Sequence, residues 1–265
     1  MEHKPLIMNR LDKLFQEKKD ILNIYFTAGF PNLEDTMPIL ETLQAAGADM
    51  VEIGMPYSDP VADGPTIQES NQQALENGMT INKLFEQLAD FRKKITVPVV
   101  LMGYVNPVLQ YGAERFIEKC AEIGIDGTIL PDLPAPEFEE ELKPIYEKHQ
   151  LHNVFLITPQ TSEKRIKEID RLSKGFIYMV SSNSITGAKS GIADKQLAYF
   201  ERIHAMQLQT PRLIGFGISN HETFKRACSH AHGAIIGSAF IKLLAGSKNL
   251  QADIHQFVKE IKKSD

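Results

Sequence analysis

Two carboxylates, Glu52 and Asp63, stand in the stretch VEIGMPYSDPVADGP (51–65), which opens as a β-strand and closes as a proline-braced loop. Period-two alternation sets Val51 and Ile53 on one face of that strand and Glu52 on the other. If the apolar pair packs against outer helices, Glu52 points into the interior, where burial without a counter-charge raises a carboxyl pKa. That is how an acid–base group poised near neutrality is made. The alternative is a structural Glu paired with a buried Lys or Arg. Asp63 sits between Pro60 and Pro65, beside Gly64, in a loop stiff enough to hold a polar group in one place. Its plainer reading is an Asp-Gly turn, and that of Asp59, before Pro60, a turn start.

A second signal lies late in the chain. RLIGFG (212–217) ends in Gly215, Phe216 and Gly217, and GAIIGS (233–238) ends in Gly237 and Ser238, with a helical pattern following. Glycines let backbone approach an anion, and a helix start offers free N–H groups, so this pair of loops reads as a phosphate site, with plain turns as the alternative. SSNSITGAKSGIADK (181–195), small and polar with Gly187 and Gly191, is long for such a connection; it reads as a lid or as a loose surface loop.

Eight short apolar runs must position these groups: ILNIYFT (21–27), DMVEIG (49–54), VPVVLM (97–102), GTILPD (127–132), NVFLIT (153–158), GFIYMVS (175–181), and the two late runs. Helical patterns alternate with them, as in LEDTMPILETLQAAGA (33–48), TINKLFEQLADFRKK (80–94) and ERFIEKCAEIG (114–124). Strand–helix alternation implies parallel βαβ units, and eight of them predict a single (β/α)8 TIM barrel over residues 1–265, with an extra amphipathic helix in MEHKPLIMNRLDKLF. A doubly wound open sheet is the competing fold. In a barrel of this kind the site lies on the loops after the strands, where the candidates above stand.

Composition narrows the field. The 265 residues are 43% hydrophobic and 24% charged, enough for a large core, and the net charge of −5 gives no reason to expect nucleic acid. Cys120 and Cys228 form no CxxC pair; Cys120 reads as a buried free thiol, in keeping with a reducing, cytoplasmic setting. No membrane-length apolar run and no signal-peptide pattern stands in the sequence. His230 and His232 read as solvated surface rather than as a metal pair, and EFEEEL (137–142) as a solvated helix start. Phe26, Met102 and Tyr104 read as core or wall residues. Strand ends carry no Lys for a Schiff base and no His or Cys for a metal-assisted aldolase, which leaves acid–base chemistry on a phosphorylated substrate.

VEIGMPYSDPVADGPTIQ resembles the signature of the tryptophan synthase alpha chain family. The likeness runs through YFTAGFP, LMGYVNP, LPDLP, ITG, GFGIS and IIGSA in order, over nearly the whole chain. It implies a lyase that splits indole-3-glycerol phosphate into indole and glyceraldehyde 3-phosphate by a retro-aldol step, in tryptophan biosynthesis. By the same resemblance Glu52 is the general acid/base and Asp63 the second catalytic carboxylate, stabilising the indole N–H. Tyr178 matches a site tyrosine. Gly187, Gly217, Gly237 and Ser238 match the phosphate-binding positions, with Phe216 nearby. Tyr25, Met102, Ile129 and Ile157 match walls of the indole pocket, and Thr186 the lid threonine that meets the catalytic Asp. Ser184 stands where the family commonly has Gly, Met102 where Leu is usual, and Gly103 where a larger residue is common.

The resemblance also implies a partner, the pyridoxal-phosphate-bearing beta subunit in an alpha-beta-beta-alpha heterotetramer. That partner docks through the loops Pro56 to Pro60 and Asn106 to Val108 and receives indole through a tunnel. The cofactor belongs to the partner, and none is expected on this chain. Rival readings are another phosphate-binding barrel, such as an indole-glycerol-phosphate synthase or a phosphoribosyl isomerase, and a non-catalytic activator subunit.

Overall fold

The eight apolar runs all form strands in the computed structural model, which describes residues 8–61, 63–180, 189–215 and 217–263, with the backbone alone at 189–194. They are β1 (Ile21–Thr27), β2 (Met50–Gly54), β3 (Val99–Met102), β4 (Gly127–Ile129), β5 (His152–Val154), β6 (Leu156–Ile157), β7 (Ile177–Val180), β8 (Arg212–Gly215) and β9 (Gly233–Ile236). β5 and β6 are two pieces of one run, interrupted at Phe155. All pairings are parallel, in the order β5-β4-β3-β2-β1-β9-β8-β7-β6. Since the first and last strands of that order adjoin at Phe155, the sheet curls into a barrel. The open-sheet alternative is thereby excluded.

Side-chain alternation sorts the barrel into an inside and an outside. Val51 and Ile53 join the large cluster under the helices, together with Leu22, Ile24 and Phe26. Met50, Val100, Ile129, Val154, Phe176, Tyr178, Leu213 and Ile235 fill the interior as a second cluster. Glu52 shares the parity of Met50 and is therefore an inward residue of β2.

One end of the barrel is sealed by the N-terminal helix Arg10–Glu17, begun where Asn9 Oδ1 accepts from the Leu11 N–H. Leu11 is fully buried in the interior cluster. Around it, Arg10 pairs with Asp126 at 2.9 Å and Asp12 with His152 at 2.9 Å, while Lys18 and Lys262 converge on buried Asp49. Asp126 also binds Arg92 and accepts the Val99 N–H at 2.7 Å. The ionic groups thus hold the floor of the barrel and leave the opposite rim to the site.

The remaining helices follow the pattern read from the sequence, with local differences. The 33–48 run is a short 3-10 turn, Leu33–Asp35, leading into helix Thr36–Ala46, which ends where Gly47 takes φ +99°. EFEEEL lies inside a helical stretch as a π-turn, Phe138–Leu142, with Glu139 held by Arg171 through two bonds of 2.6 and 2.8 Å. The run 181–195 is not loop throughout: Lys189–Ala205 is one helix, and the lid reading of 181–188 lies outside the described residues. His232 is not solvated surface: half-buried, it accepts the Arg212 N–H on Nδ1 at 3.2 Å and packs edge-on against Phe15. Burial lowers its pKa, which keeps the accepting nitrogen free of a proton.

Candidate active site

β2 and the loop behind it carry both carboxyls to the open rim. Glu52, 1% exposed, lies in register beside Tyr25 of β1. Its Oε2 accepts a 3.0 Å hydrogen bond from Asn23 Nδ2, and no Lys or Arg pairs with it among the described residues. The structural-pair alternative therefore does not hold. Burial pushes the Glu52 carboxyl up to about 8; the Asn23 bond pulls it down, and the neighbouring Asp63 charge pushes it further up.

Asp63 is fixed by its own backbone. Its N–H donates to Pro60 O at 3.0 Å, and its carbonyl accepts from Gln68 Nε2 at 2.8 Å. Gly64 then caps the helix Pro65–Glu76, with Pro65 at the first helical position. The carboxylate accepts a 3.1 Å bond from the Tyr104 hydroxyl, which lowers a pKa that burial has raised to about 6. Asp59, by contrast, is exposed and turns the loop, accepting from the Ser58 hydroxyl at 2.6 Å and the Val61 N–H at 2.9 Å.

Two tyrosines lie across glycines at the strand ends. A Cβ on Gly54 would come within 2.2 Å of the Tyr25 hydroxyl, and one on Gly215 within 2.2 Å of the Tyr178 hydroxyl. Any larger residue at either position would drive the ring out of its place. Burial raises both phenol pKa values, and the Glu52 and Asp63 charges add to the effect. Both rings therefore stay protonated and uncharged beside the carboxyls.

Met102 and Ile129 stand side by side in register, Ile129 in the interior cluster and Met102 packed against it. Ile157 falls elsewhere: it is in register with Met179 and belongs with it to the helix-side cluster, while Leu156, in register with Tyr178, packs on the interior. Gly103 is small because Met55 occupies the space, with its Cε 2.6 Å from where a Cβ would stand.

Gly217 takes φ +76°, a left-handed conformation that favours glycine, and Gly237 caps the helix Ser238–Gly246. A Cβ on Gly237 would meet the Tyr25 side chain at 3.5 Å, an ordinary van der Waals contact, so a side chain is tolerated at that helix start. Thr186, Gly187, Ser184 and Phe216 lie outside the described residues.

Two partners escaped the sequence reading. Asn23 carried a signal, an amide amid the apolar run ILNIYFT at an inward position where strands disfavour Asn. Tyr104 carried none, because a tyrosine after a strand reads as packing until its hydroxyl is seen on Asp63.

A parallel barrel whose rim holds two partly or fully buried carboxyls without a cationic partner among the described residues is of the (β/α)8 class and equipped for acid–base chemistry. The family model of the tryptophan synthase alpha chain matches residues 11–264. The tryptophan synthase alpha chain of Flavobacterium psychrophilum is 57% identical over 254 residues, covering 96% of this chain and all of that one. That of Parabacteroides distasonis is 52% identical over 256 residues, with 96% and 100% covered. Among solved structures, tryptophan synthase subunit alpha from Legionella pneumophila superposes with a TM-score of 0.86 at 33% identity, over 96% of this chain and 97% of that one. A chain of the aminoacrylate-bound tryptophan synthase from M. tuberculosis gives 0.84 at 26%, over 96% and 98%. The chain belongs to the tryptophan synthase alpha chain family. It is a lyase of tryptophan biosynthesis that cleaves indole-3-glycerol phosphate.

Proposed function

We propose that Glu52 and Asp63 divide the retro-aldol cleavage between them, Glu52 moving the protons and Asp63 holding the charge. With a pKa near 8, Glu52 enters at neutral pH as the acid and gives its proton to indole C3. The ring becomes an indolenine whose N–H bears positive charge, and Asp63, ionised above about 6, accepts that N–H. Glu52, now a carboxylate, takes the proton of the glycerol hydroxyl next to the scissile bond. The carbon–carbon bond breaks, its electrons return to the ring, and indole and glyceraldehyde 3-phosphate form with Glu52 protonated again. The observation that carries this reading is geometric: a buried carboxyl that faces an amide, and a second carboxyl held by a tyrosine hydroxyl, share one barrel mouth.

The test is the pH profile of indole release. A bell with limbs near 6 and 8 is expected, and a single limb, or a maximum well outside that window, overturns the assignment. Glu52→Gln keeps the shape but moves no proton, so it should retain substrate binding and lose nearly all turnover.

Tyr25, Met102 and Ile129 are the walls we assign to the indole ring, with Leu156 beside Tyr178 at the position first given to Ile157. Phosphate falls to Gly217, Gly237 and Ser238 at the helix start; Gly187, Phe216 and the lid residue Thr186 are added on the resemblance alone. Residues 1–265 act as one barrel domain in this reading, in the cytoplasm. No helix among the described residues is long and apolar enough to cross a membrane.

For the partner, the support is apolar exposure where the family docks. Val61 is 87% exposed beside the Pro56–Pro60 loop, and Leu109 is 58% exposed on the helix Val105–Tyr111 that contains Asn106 and Val108. Beta-subunit docking, with an alpha-beta-beta-alpha assembly and a tunnel for indole, accounts for both. Pyridoxal phosphate stays with that subunit.

A further inference from the structure

The acid–base residue of this barrel has a neutral amide as its hydrogen-bond partner, and that amide is itself half used. Asn23 and Glu52 point inward from adjacent strands, 0% and 1% exposed. Nδ2 of Asn23 donates to Glu52 Oε2 at 3.0 Å, while Oδ1 of the same amide is buried with no partner among the described residues. A buried carbonyl left unmatched is unfavourable, and a strand rarely places Asn there without a use for both ends of the amide. If the amide turns over, its oxygen faces the carboxyl and can accept the proton of the acid form, and no other bond is broken by the turn.

We propose that Asn23 is the positioning residue of Glu52, partnering it as carboxylate through Nδ2 and as carboxylic acid through Oδ1. The inference rests on the acid–base reading of Glu52 and adds the group that keeps it oriented while its proton leaves and returns. The other ionisable groups acting on Glu52 or answering to its charge are Asp63, Tyr25 and Tyr178; none of them is a cation. Asp63 raises Glu52, and the two phenols stay protonated, so Asn23 supplies the one lowering influence.

The sign of its effect follows from bond strength. A hydrogen bond to the carboxylate is roughly twice as strong as one to the acid, so losing both shifts the equilibrium toward the acid. Asn23→Leu, larger but branched in the same way and flanked by apolar interior residues, should therefore move the alkaline limb of kcat/KM upward by about half to one pH unit. The acid limb, set by Asp63, should stay, and so should KM, because a positioning residue acts through Glu52. Asn23→Asp has the shape of the native side chain and adds a like charge. The introduced carboxyl and Glu52 would titrate as a pair that loses its second proton at still higher pH, carrying the alkaline limb beyond that of the Leu variant.

The measurement is indole release from indole-3-glycerol phosphate by the full chain across the pH range, for wild type, Asn23→Leu, Asn23→Asp and Glu52→Gln. The ordering wild type, Leu, Asp in the alkaline limb, with a fixed acid limb, supports the role. Lower turnover with both limbs unmoved, as from a general packing defect, overturns it. Should the Leu variant not fold, the isosteric Asp variant carries the same comparison. If Glu52→Gln stays active, the underlying acid–base reading has failed; if it is inactive while the Asn23 variants keep the wild-type limbs, only the positioning role has failed.

Discussion

Removing the Tyr104 hydroxyl separates the two carboxyls by experiment. In Tyr104→Phe the ring stays in its buried place against Tyr57, at a centroid distance of 5.3 Å in the native chain, and the 3.1 Å bond to Asp63 is lost. Hydrogen bonds to charged groups are worth about 1.5–3 kcal/mol, and Asp63 is open enough for water to replace part of that. Taking about 1.4 kcal/mol as the net loss, the Asp63 pKa rises by about one unit, from about 6 to about 7. The ionised fraction then falls from about nine-tenths to about one-half at pH 7, and from about one-half to about one-tenth at pH 6. If ionised Asp63 is required, kcat/KM drops about twofold at the first pH and about fivefold at the second. The alkaline limb should not move, since the hydrogen bond removed is one to Asp63. The substrate phosphate, with its second pKa near ~6, titrates alike in both assays, so the difference between the two profiles carries the result. An acid limb that stays where it was, or a uniform loss at every pH, would refute the coupling of Tyr104 to Asp63.

Glu52→Gln should stabilise the fold while it stops turnover. Folding raises this carboxyl from 4.5 to about 8, so the folded state holds the proton more tightly, and stability present below about 4.5 is lost as pH climbs through 8. The Gln variant escapes that loss, and its Tm advantage should widen between pH 6 and 8; a gap independent of pH would mean that Glu52 is not raised. Gly237→Asp sets a carboxylate in front of the helix start, where the nearest atoms to a Cβ are at ordinary contact distance, so the chain should fold and bind glycerol phosphate at least tenfold more weakly by calorimetry; unchanged affinity would move the phosphate site elsewhere. Leu11→Ala empties the plug of the barrel floor and should cost about 2–5 kcal/mol by denaturant melts, with kcat unaltered at temperatures where the variant is folded. Leu109→Asp should weaken beta-subunit association without altering the isolated chain's basal turnover; equal binding would exclude that helix from the interface.

Local pattern favoured a barrel over an open sheet and set Glu52 on its second strand with Asp63 in the loop that follows. Strand runs and helix runs alternate because each strand must be covered by a helix, and that requirement is written in periodicity. The inward aim of Glu52 followed from the apolar residues Val51 and Ile53 on either side of it, since burying them on the helices leaves Glu52 only the interior. The stiff setting of Asp63 followed from Pro60 and Pro65. These are consequences of residue type and spacing over a short stretch of chain.

What touches Glu52 and Asp63 was decided by the closed barrel. Asn23 lies 29 residues from Glu52 and Tyr104 lies 41 from Asp63, and only the β1–β2 register and the rim after β3 bring them within bonding distance. The pKa values depend on that, because desolvation and a neighbouring carboxyl exist only once the strands have curled together. Similarity of sequence likewise named Ile157, whereas the break at Phe155 fixes which side of the sheet each neighbour takes and turns Leu156 inward. A side chain's face is set by strand parity, and parity across an interrupted strand is a property of the three-dimensional pairing rather than of the run of residues.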